Sequence, residues 1–187
     1  MFNSFFTKFN WRIPLIFGLA LLCAVPVQAG EFRYNSTTRA IEIKGTFHLG
    51  DERKFRALLR THPETRTVKL LSSVGGEYTS ALEISLAVKR AGLNTIAAGY
   101  CHSGCAYIWL AGASRAVVGA DAPKIHMPYA NATGEAYPHL TYAWLEALGL
   151  SAGFADAAVQ SVGPDNRFVR LTPAFLKQFG GFTRRAA

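Results

Sequence analysis

The sequence predicts an α/β domain with parallel strands, and two observations carry that prediction. Short runs rich in β-branched and apolar residues alternate along the chain with segments whose apolar residues recur at helical spacing. Half of the 187 residues are hydrophobic and 17% are charged. That composition is typical of a chain with a sizeable core and excludes a disordered protein.

Each predicted element follows from a local pattern. Strict alternation of apolar and polar residues over 40–47 predicts a strand with one face in water, and apolar residues three and four apart predict helices. Residues 103–113 are apolar on nearly every face, so this helix is expected to be buried at the centre. Strands are predicted over 40–47, 65–71, 94–99, 115–118 and 123–127, and helices over 51–60, 79–91, 103–113, 137–148, 151–162 and 172–179.

Residues 1–29 have the pattern of a secretory signal peptide. They contain Lys8 and Arg12 and no acidic residue, then an apolar run over 13–25 and a Val-Gln-Ala tripeptide that ends at Ala29. A basic start, a short apolar segment and small residues at the end are typical of a cleaved export signal. We therefore expect a periplasmic or secreted protein. The alternative is a membrane anchor formed by residues 13–25.

The positive charge does not indicate a nucleic-acid partner. The formal net charge is +8 at pH 7, but the basic residues do not form one stripe. The basic residues of segment 53–60 follow directly after Asp51 and Glu52. Because no zinc-finger, helix-turn-helix or RNA-binding signature is present, we expect a solvated basic surface and no nucleic acid.

The first of three candidate motifs is Gly75-Gly76, which follows a predicted strand and precedes a helix. Paired glycines let backbone N–H groups approach a ligand closely, and such donors can bind an oxyanion. An ordinary tight turn has the same pattern. No Gly-Lys-Ser/Thr follows and the dinucleotide fingerprint is absent, so we expect no nucleotide cofactor.

The second and third motifs carry a serine and a histidine. Residues 99–105 join a buried strand to the buried helix and place Ser103 at the helix start. The N–H groups there favour a developing anion, although a serine at this position is also a common N-cap. His126 ends a short strand before Pro128. It is a candidate base if it approaches a nucleophile, and otherwise a hydrogen-bonded structural residue.

Cys101 and Cys105 lie on either side of Ser103 and are the only cysteines after the predicted signal peptide. In an exported chain such a pair permits one disulfide, and we predict that it fixes the turn before the buried helix. Two buried free thiols are the alternative. Zinc would need His102 and His126 as further ligands, but neighbouring Cys101 and His102 tend to point apart, so we expect no metal.

Taken together, these motifs resemble the Clp protease proteolytic subunit (ClpP) family, within the wider ClpP/crotonase fold. The family motifs Ser-Pro-Gly-Gly, Gly-x-x-x-Ser, Ala-Gly and Ile-His-x-Pro correspond here to residues 72–76, 99–103, 111–112 and 125–128, in order and with similar spacing. The resemblance spans about residues 65–130. It implies that residues 30–187 form one ClpP/crotonase-like domain, an α/β core of ββα-type units with parallel strands and a C-terminal helical part.

The resemblance also implies the site residues of a serine peptidase. Ser103 corresponds to the nucleophile and His126 to its general base. The N–H groups of Gly76 and Gly104 correspond to the oxyanion hole.

The acid of the triad is the one member that the resemblance leaves open. In the family it directly precedes an Arg-aromatic pair near the C-terminus, which corresponds here to Arg167-Phe168. One residue is inserted at this point. Either Asp165 is the acid, or Asn166 occupies its place and the triad is incomplete.

The function expected from this resemblance is that of an exported serine hydrolase, a peptidase that acts on a peptide or protein without a cofactor. The alternatives are a non-catalytic binding or assembly protein on the same scaffold and a crotonase-like acyl-thioester enzyme. Coenzyme A and an ATP-driven unfoldase are not expected outside the cytoplasm. The segment between His126 and Asp165 is shorter than in the family, so a seven-membered ring is not expected, while another homo-oligomer stays open.

Overall fold

A computed structural model of the protein describes residues 30–119 and 121–179, so the predicted signal peptide lies outside the described residues. The strands are β1 (Glu31–Asn35), β2 (Ala40–Lys44), β3 (Thr46–Phe47), β4 (Thr67–Leu70), β5 (Gly75–Gly76), β6 (Asn94–Ala98), β7 (Arg115–Val118), β8 (Lys124–Ile125) and β9 (Val169–Arg170). The helices are α1 (Asp51–Thr61), α2 (Tyr78–Arg90), α3 (Gly104–Leu110), α4 (Pro138–Ala147), α5 (Ala152–Val162) and α6 (Pro173–Gln178).

A five-stranded sheet in the order β1-β2-β4-β6-β7 forms the centre of the described residues. β1 and β2 are antiparallel, and every other neighbouring pair in this sheet is parallel. Helices α1, α2 and α3 each connect one parallel strand to the next, which is the crossover that parallel pairing requires. The predicted α/β class with parallel strands is therefore confirmed.

Helix α3 is the central buried helix that the sequence predicts. All seven of its residues are buried, among them Trp109, which is fully enclosed. A helix that is apolar on every side is stable only when it is buried on every side. It is shorter than predicted, since it begins after Ser103 and ends at Leu110 rather than at Ala113.

Two small sheets lie beside the central one and correct the predicted elements. The predicted strand over 40–47 is divided at Gly45, whose φ of 90° turns the chain, so that β2 stays in the central sheet and β3 leaves it. β3 pairs in parallel with β5, which means that Gly75-Gly76 is a short strand and not only a turn. β8 pairs antiparallel with β9. Neither β1 nor β9 is predicted from the sequence.

The C-terminal part is helical, as expected, and packs onto the core. α4 and α5 are separated by Gly149, where the sequence predicts a break. Ser151 and Thr172 cap α5 and α6 by accepting backbone N–H bonds. Leu145 and Leu176 are fully buried in the main core cluster, so these helices belong to the same domain. No helix in the described ranges is long and apolar enough to cross a membrane.

Candidate active site

The segment that carries Ser103 is held between two neighbours by backbone hydrogen bonds. On one side, the His102 N–H donates to the Ser73 carbonyl (2.9 Å), just before the glycine pair. On the other side, the Ser103 N–H donates to the Lys124 carbonyl in β8 (2.8 Å), two residues before His126. The topology therefore brings the three sequence motifs to one place.

Ser103 has a backbone conformation that L-residues rarely adopt, with φ 54° and ψ −127°. It occupies the N-cap position of α3, but its side chain makes no capping hydrogen bond. The N-cap role that explains most serines at helix starts is therefore not the one filled here. Unusual backbone conformations of this kind persist only where the surroundings enforce them, and they concentrate at functional sites.

Two features of the surroundings hold this conformation. The Cα of Gly75 lies so close to the turn that an added Cβ would be 2.7 Å from the Ser103 Cβ and 2.7 Å from the Gly104 nitrogen. Cys101 and Cys105 form a disulfide across the turn, with a Cα–Cα distance of 5.2 Å. The predicted disulfide is thus confirmed, and the two sulfur atoms are bonded to each other rather than available to a metal.

A cavity of about 710 Å³ opens in front of Ser103. Its lining includes Ser103, His126, Gly76 and Gly104 together. These four are the predicted nucleophile, the predicted base and the two predicted oxyanion donors. Gly76 and His126 are far apart in the sequence, but both line this cavity.

The two glycine N–H groups are available for an oxyanion by their place in the fold. The Glu77 N–H donates to the Phe47 carbonyl (2.9 Å). Gly76 is the register partner of Phe47 in the parallel β3–β5 pair, a pattern in which Phe47 bonds to the residues on either side of Gly76 and not to Gly76 itself. Gly104 is the first residue of α3, so its N–H has no acceptor within the helix. Position 76 also requires glycine, because a Cβ there would overlap the Phe47 carbonyl oxygen.

His126 is buried, with 8% of its surface exposed. Its Nδ1 lies 2.7 Å from the Met127 carbonyl oxygen, and its ring packs edge-on against Phe168 at 4.8 Å between centroids. Burial lowers the pKa of His126, the nearby His102 lowers it further, and the bond to Met127 opposes both. The ring is therefore neutral, as a general base must be, over a wider pH range than a histidine in water.

Two solved structures resemble this chain. One is a mutant of the 1510-N membrane-bound stomatin-specific protease in which a serine is replaced by alanine; its TM-score is 0.55 at 18% identity, over 79% of this chain and 77% of that one. The other is a mutant of the same protease with a lysine replaced, in complex with a substrate peptide; its TM-score is 0.54 at 20% identity, over 79% and 73%. The chain has a ClpP/crotonase-like fold.

The likeness to these proteases extends to the ClpP-like fold and no further, because the identities are low. No protein-family model matches the sequence, and no curated protein matches it.

The structure does not bring Asp165 to the cavity. Asp165 is exposed and is not part of the cavity lining. The next residue, Asn166, turns back with φ 49°, and its side-chain amide bonds to the backbone of Met127, next to His126. The side chain that reaches the backbone next to His126 is thus an amide, not a carboxylate.

The aromatic wall of the cavity is not predicted from the sequence. Tyr107 stacks on Trp144 at 4.0 Å between centroids, and Tyr78 meets Trp144 edge-on at 5.1 Å. The Tyr107 hydroxyl donates to the His126 carbonyl (3.1 Å), which ties this wall to the base. In the sequence these side chains have the spacing of ordinary core residues of helices, so no local signal distinguishes them.

Proposed function

We propose that the protein is an exported serine hydrolase of the peptidase type, with Ser103 as nucleophile and His126 as general base. The observation that carries the proposal is the shared cavity: nucleophile, base and both oxyanion donors line it together. Export is proposed from the pattern of residues 1–29. The Cys101–Cys105 disulfide supports it, because disulfides persist in oxidising compartments.

The proposed reaction is acyl transfer through Ser103. The Ser103 hydroxyl adds to the scissile carbonyl carbon while its proton passes to His126, and the oxyanion is stabilised by the N–H groups of Gly76 and Gly104. His126 then gives the proton to the leaving amine, which departs as the acyl-enzyme forms. Water, deprotonated by His126, releases the acid product and regenerates Ser103.

The cavity also fits a peptide chain. Its lining combines Gly76 and Gly104, which carry the proposed backbone donors, with the aromatic side chains of Tyr78, Tyr107 and Trp144. A mainly apolar cavity with a few placed polar groups is the usual form of a binding site. The apolar wall would receive an apolar side chain of a peptide or protein substrate while the donors hold its carbonyl.

A specific observation favours the second candidate function, a non-catalytic scaffold. Within the described residues the Ser103 hydroxyl forms no hydrogen bond with His126. Phe168, whose surface is 51% exposed, packs against the ring of His126. In a hydrolase the contact between Ser103 and His126 would have to tighten when substrate binds, as it does in many enzymes.

Labelling with a fluorophosphonate probe separates the two functions. The purified protein should be labelled on Ser103, Ser103→Ala should not be labelled, and His126→Ala should be labelled far more slowly. Ser36→Ala is the matched control, since Ser36 is exposed and does not line the cavity. Labelling of the unmodified protein no faster than that of Ser103→Ala would reject the hydrolase and leave the scaffold function.

A further inference from the structure

We propose that Asn166 is a positioning residue, which acts through the carbonyl of Met127 to hold His126 in the tautomer that a general base requires. The inference deepens the proposed hydrolase function and rests on it. It assigns to an uncharged backbone group, fixed by an amide, the orienting role that a carboxylate has in a Ser-His-Asp triad.

The geometry begins with two hydrogen bonds between Asn166 and one residue. The Met127 N–H donates to Oδ1 of Asn166 (2.8 Å), and Nδ2 of Asn166 donates to the Met127 carbonyl oxygen (3.1 Å). Both polar groups of the buried Met127 backbone are therefore satisfied by a single side chain. The position and direction of that carbonyl are fixed by the pair.

The same carbonyl oxygen decides where the proton of His126 lies. It is 2.7 Å from Nδ1 of His126, and a carbonyl oxygen can only accept. Nδ1 must then carry the hydrogen, which leaves Nε2 with the free lone pair. That lone pair is the group that can accept the proton of the Ser103 hydroxyl.

An asparagine suits this position better than an aspartate would. Its amide offers one donor and one acceptor, which is what the carbonyl and the N–H of Met127 require, whereas an ionised carboxylate only accepts. Asn166 also has φ 49°, a conformation that asparagine tolerates more readily than most residues. Asp165, one position earlier, is exposed and does not line the cavity.

The pairing of β8 with β9 brings Asn166 close to Met127. β8 and β9 pair through Lys124 with Arg170 and Ile125 with Val169. The Asn166–Met127 pair continues this antiparallel contact by a side chain, two residues beyond Ile125. His126 thus lies in a short segment that is held at both ends, and the Tyr107 hydroxyl holds its own carbonyl.

The test is a long-range ¹H–¹⁵N NMR spectrum of the protein labelled at its five histidines, with His126→Gln to assign the signal. At a pH where His126 is neutral, we expect Nδ1 to carry the hydrogen and Nε2 to show the shift of an unprotonated ring nitrogen. Asn166→Gly removes the amide and keeps the left-handed backbone accessible. In this variant we expect a mixture of tautomers and at least tenfold slower labelling by the fluorophosphonate probe. Asp165→Asn is the matched control, in which the tautomer and the labelling rate should be unchanged.

Two results would overturn the proposal: an unmodified protein with the hydrogen on Nε2, or an Asn166→Gly variant whose His126 keeps a pure Nδ1–H tautomer and whose labelling rate is unchanged. The spectrum of the unmodified protein does not depend on Asn166→Gly, so the first test stands even where that variant does not fold. The tautomer is read without turnover. Absence of fluorophosphonate labelling would therefore reject the hydrolase function while the spectrum still decides the role of Asn166.

Discussion

The strained backbone of Ser103 has a measurable free-energy cost. Glycine has no Cβ and adopts φ 54°, ψ −127° without the steric penalty that serine pays. We expect Ser103→Gly to have a free energy of unfolding about 1 kcal/mol higher than Ser103→Ala, which keeps the strain. Both variants should lose labelling by the fluorophosphonate probe. Denaturant unfolding curves measure the difference, and equal stability of the two variants would show that the turn is not strained.

The depressed pKa of His126 predicts the pH dependence of the reaction. A general base works in its neutral form, and burial together with the nearby His102 lowers the pKa of His126 below its ordinary value of 6.5. The phenols of Tyr107 and Tyr129 also contact His126.

We therefore expect the rate of probe labelling to rise with pH to a midpoint below 6.5 and to be level through neutral pH. In His102→Gln the midpoint should move upward, because a neighbouring positive charge is removed. A midpoint above 6.5 in the unmodified protein would contradict this account of His126.

At the residue scale, Ser103 and His126 are candidates because their motifs resemble those of the ClpP family. The structure brings both residues to one cavity. The choice between Asp165 and Asn166 could not be made from the sequence. A one-residue insertion in a turn changes which side chain faces inward, and only the φ of the turn residue decides that. The aromatic wall could not be predicted from the sequence, because a helix face that lines a cavity and one that packs in the core both carry large apolar residues at the same spacing.

We predict that any side chain introduced at Gly76 in the short strand β5 destabilises the protein. Gly76 and Gly92 both have positive φ, but a Cβ at Gly76 would overlap the backbone of Phe47, whereas nothing lies within 4 Å of one at Gly92. We expect Gly92→Ala to lower the free energy of unfolding by about 1 kcal/mol, which is the cost of a left-handed backbone for a residue with a Cβ. Gly76→Ala should cost more than 2 kcal/mol, roughly the scale of overpacking, and slow probe labelling strongly. Similar unfolding free energies for the two variants would contradict the close contact of β3 and β5.

The disulfide that spans the start of α3 should matter more for the rate than for stability. Its loop is small, so the chain-entropy contribution is only about 2 kcal/mol. We expect the Cys101→Ala/Cys105→Ala double variant to stay folded and to be labelled by the probe at least tenfold more slowly, because the Ser103 turn loses a constraint. Intact mass after alkylation without reductant checks the bond itself. Two alkylated thiols in protein from the periplasm, or an unchanged labelling rate, would contradict the prediction.

At the element scale, long periodic segments are predictable and short pairings are not. The helices of the core and the parallel strands β4, β6 and β7 follow from periodicity. β5 and β9 have two residues each, which is too short for any alternation to be read, whereas β3 and β8 lie within the predicted strands over 40–47 and 123–127. What makes them strands is a partner far away in the chain, and such pairing is decided by the tertiary fold.

For the whole molecule, the pattern of residues 1–29 predicts where the mature protein begins. We expect cleavage after Ala29, which leaves Gly30 as the first residue. Intact mass and N-terminal sequencing of the protein recovered from the periplasm or medium measure this. A full-length chain retained in the membrane fraction would show that residues 13–25 act as an anchor.

The disulfide between Cys101 and Cys105 links the state of the Ser103 turn to the compartment in which the chain is found. Thiols stay reduced in the cytoplasm and oxidise after export, so a newly made chain would reach its destination with the nucleophile turn not yet locked. Under the proposed function, the oxidising compartment would therefore complete the active turn only after export.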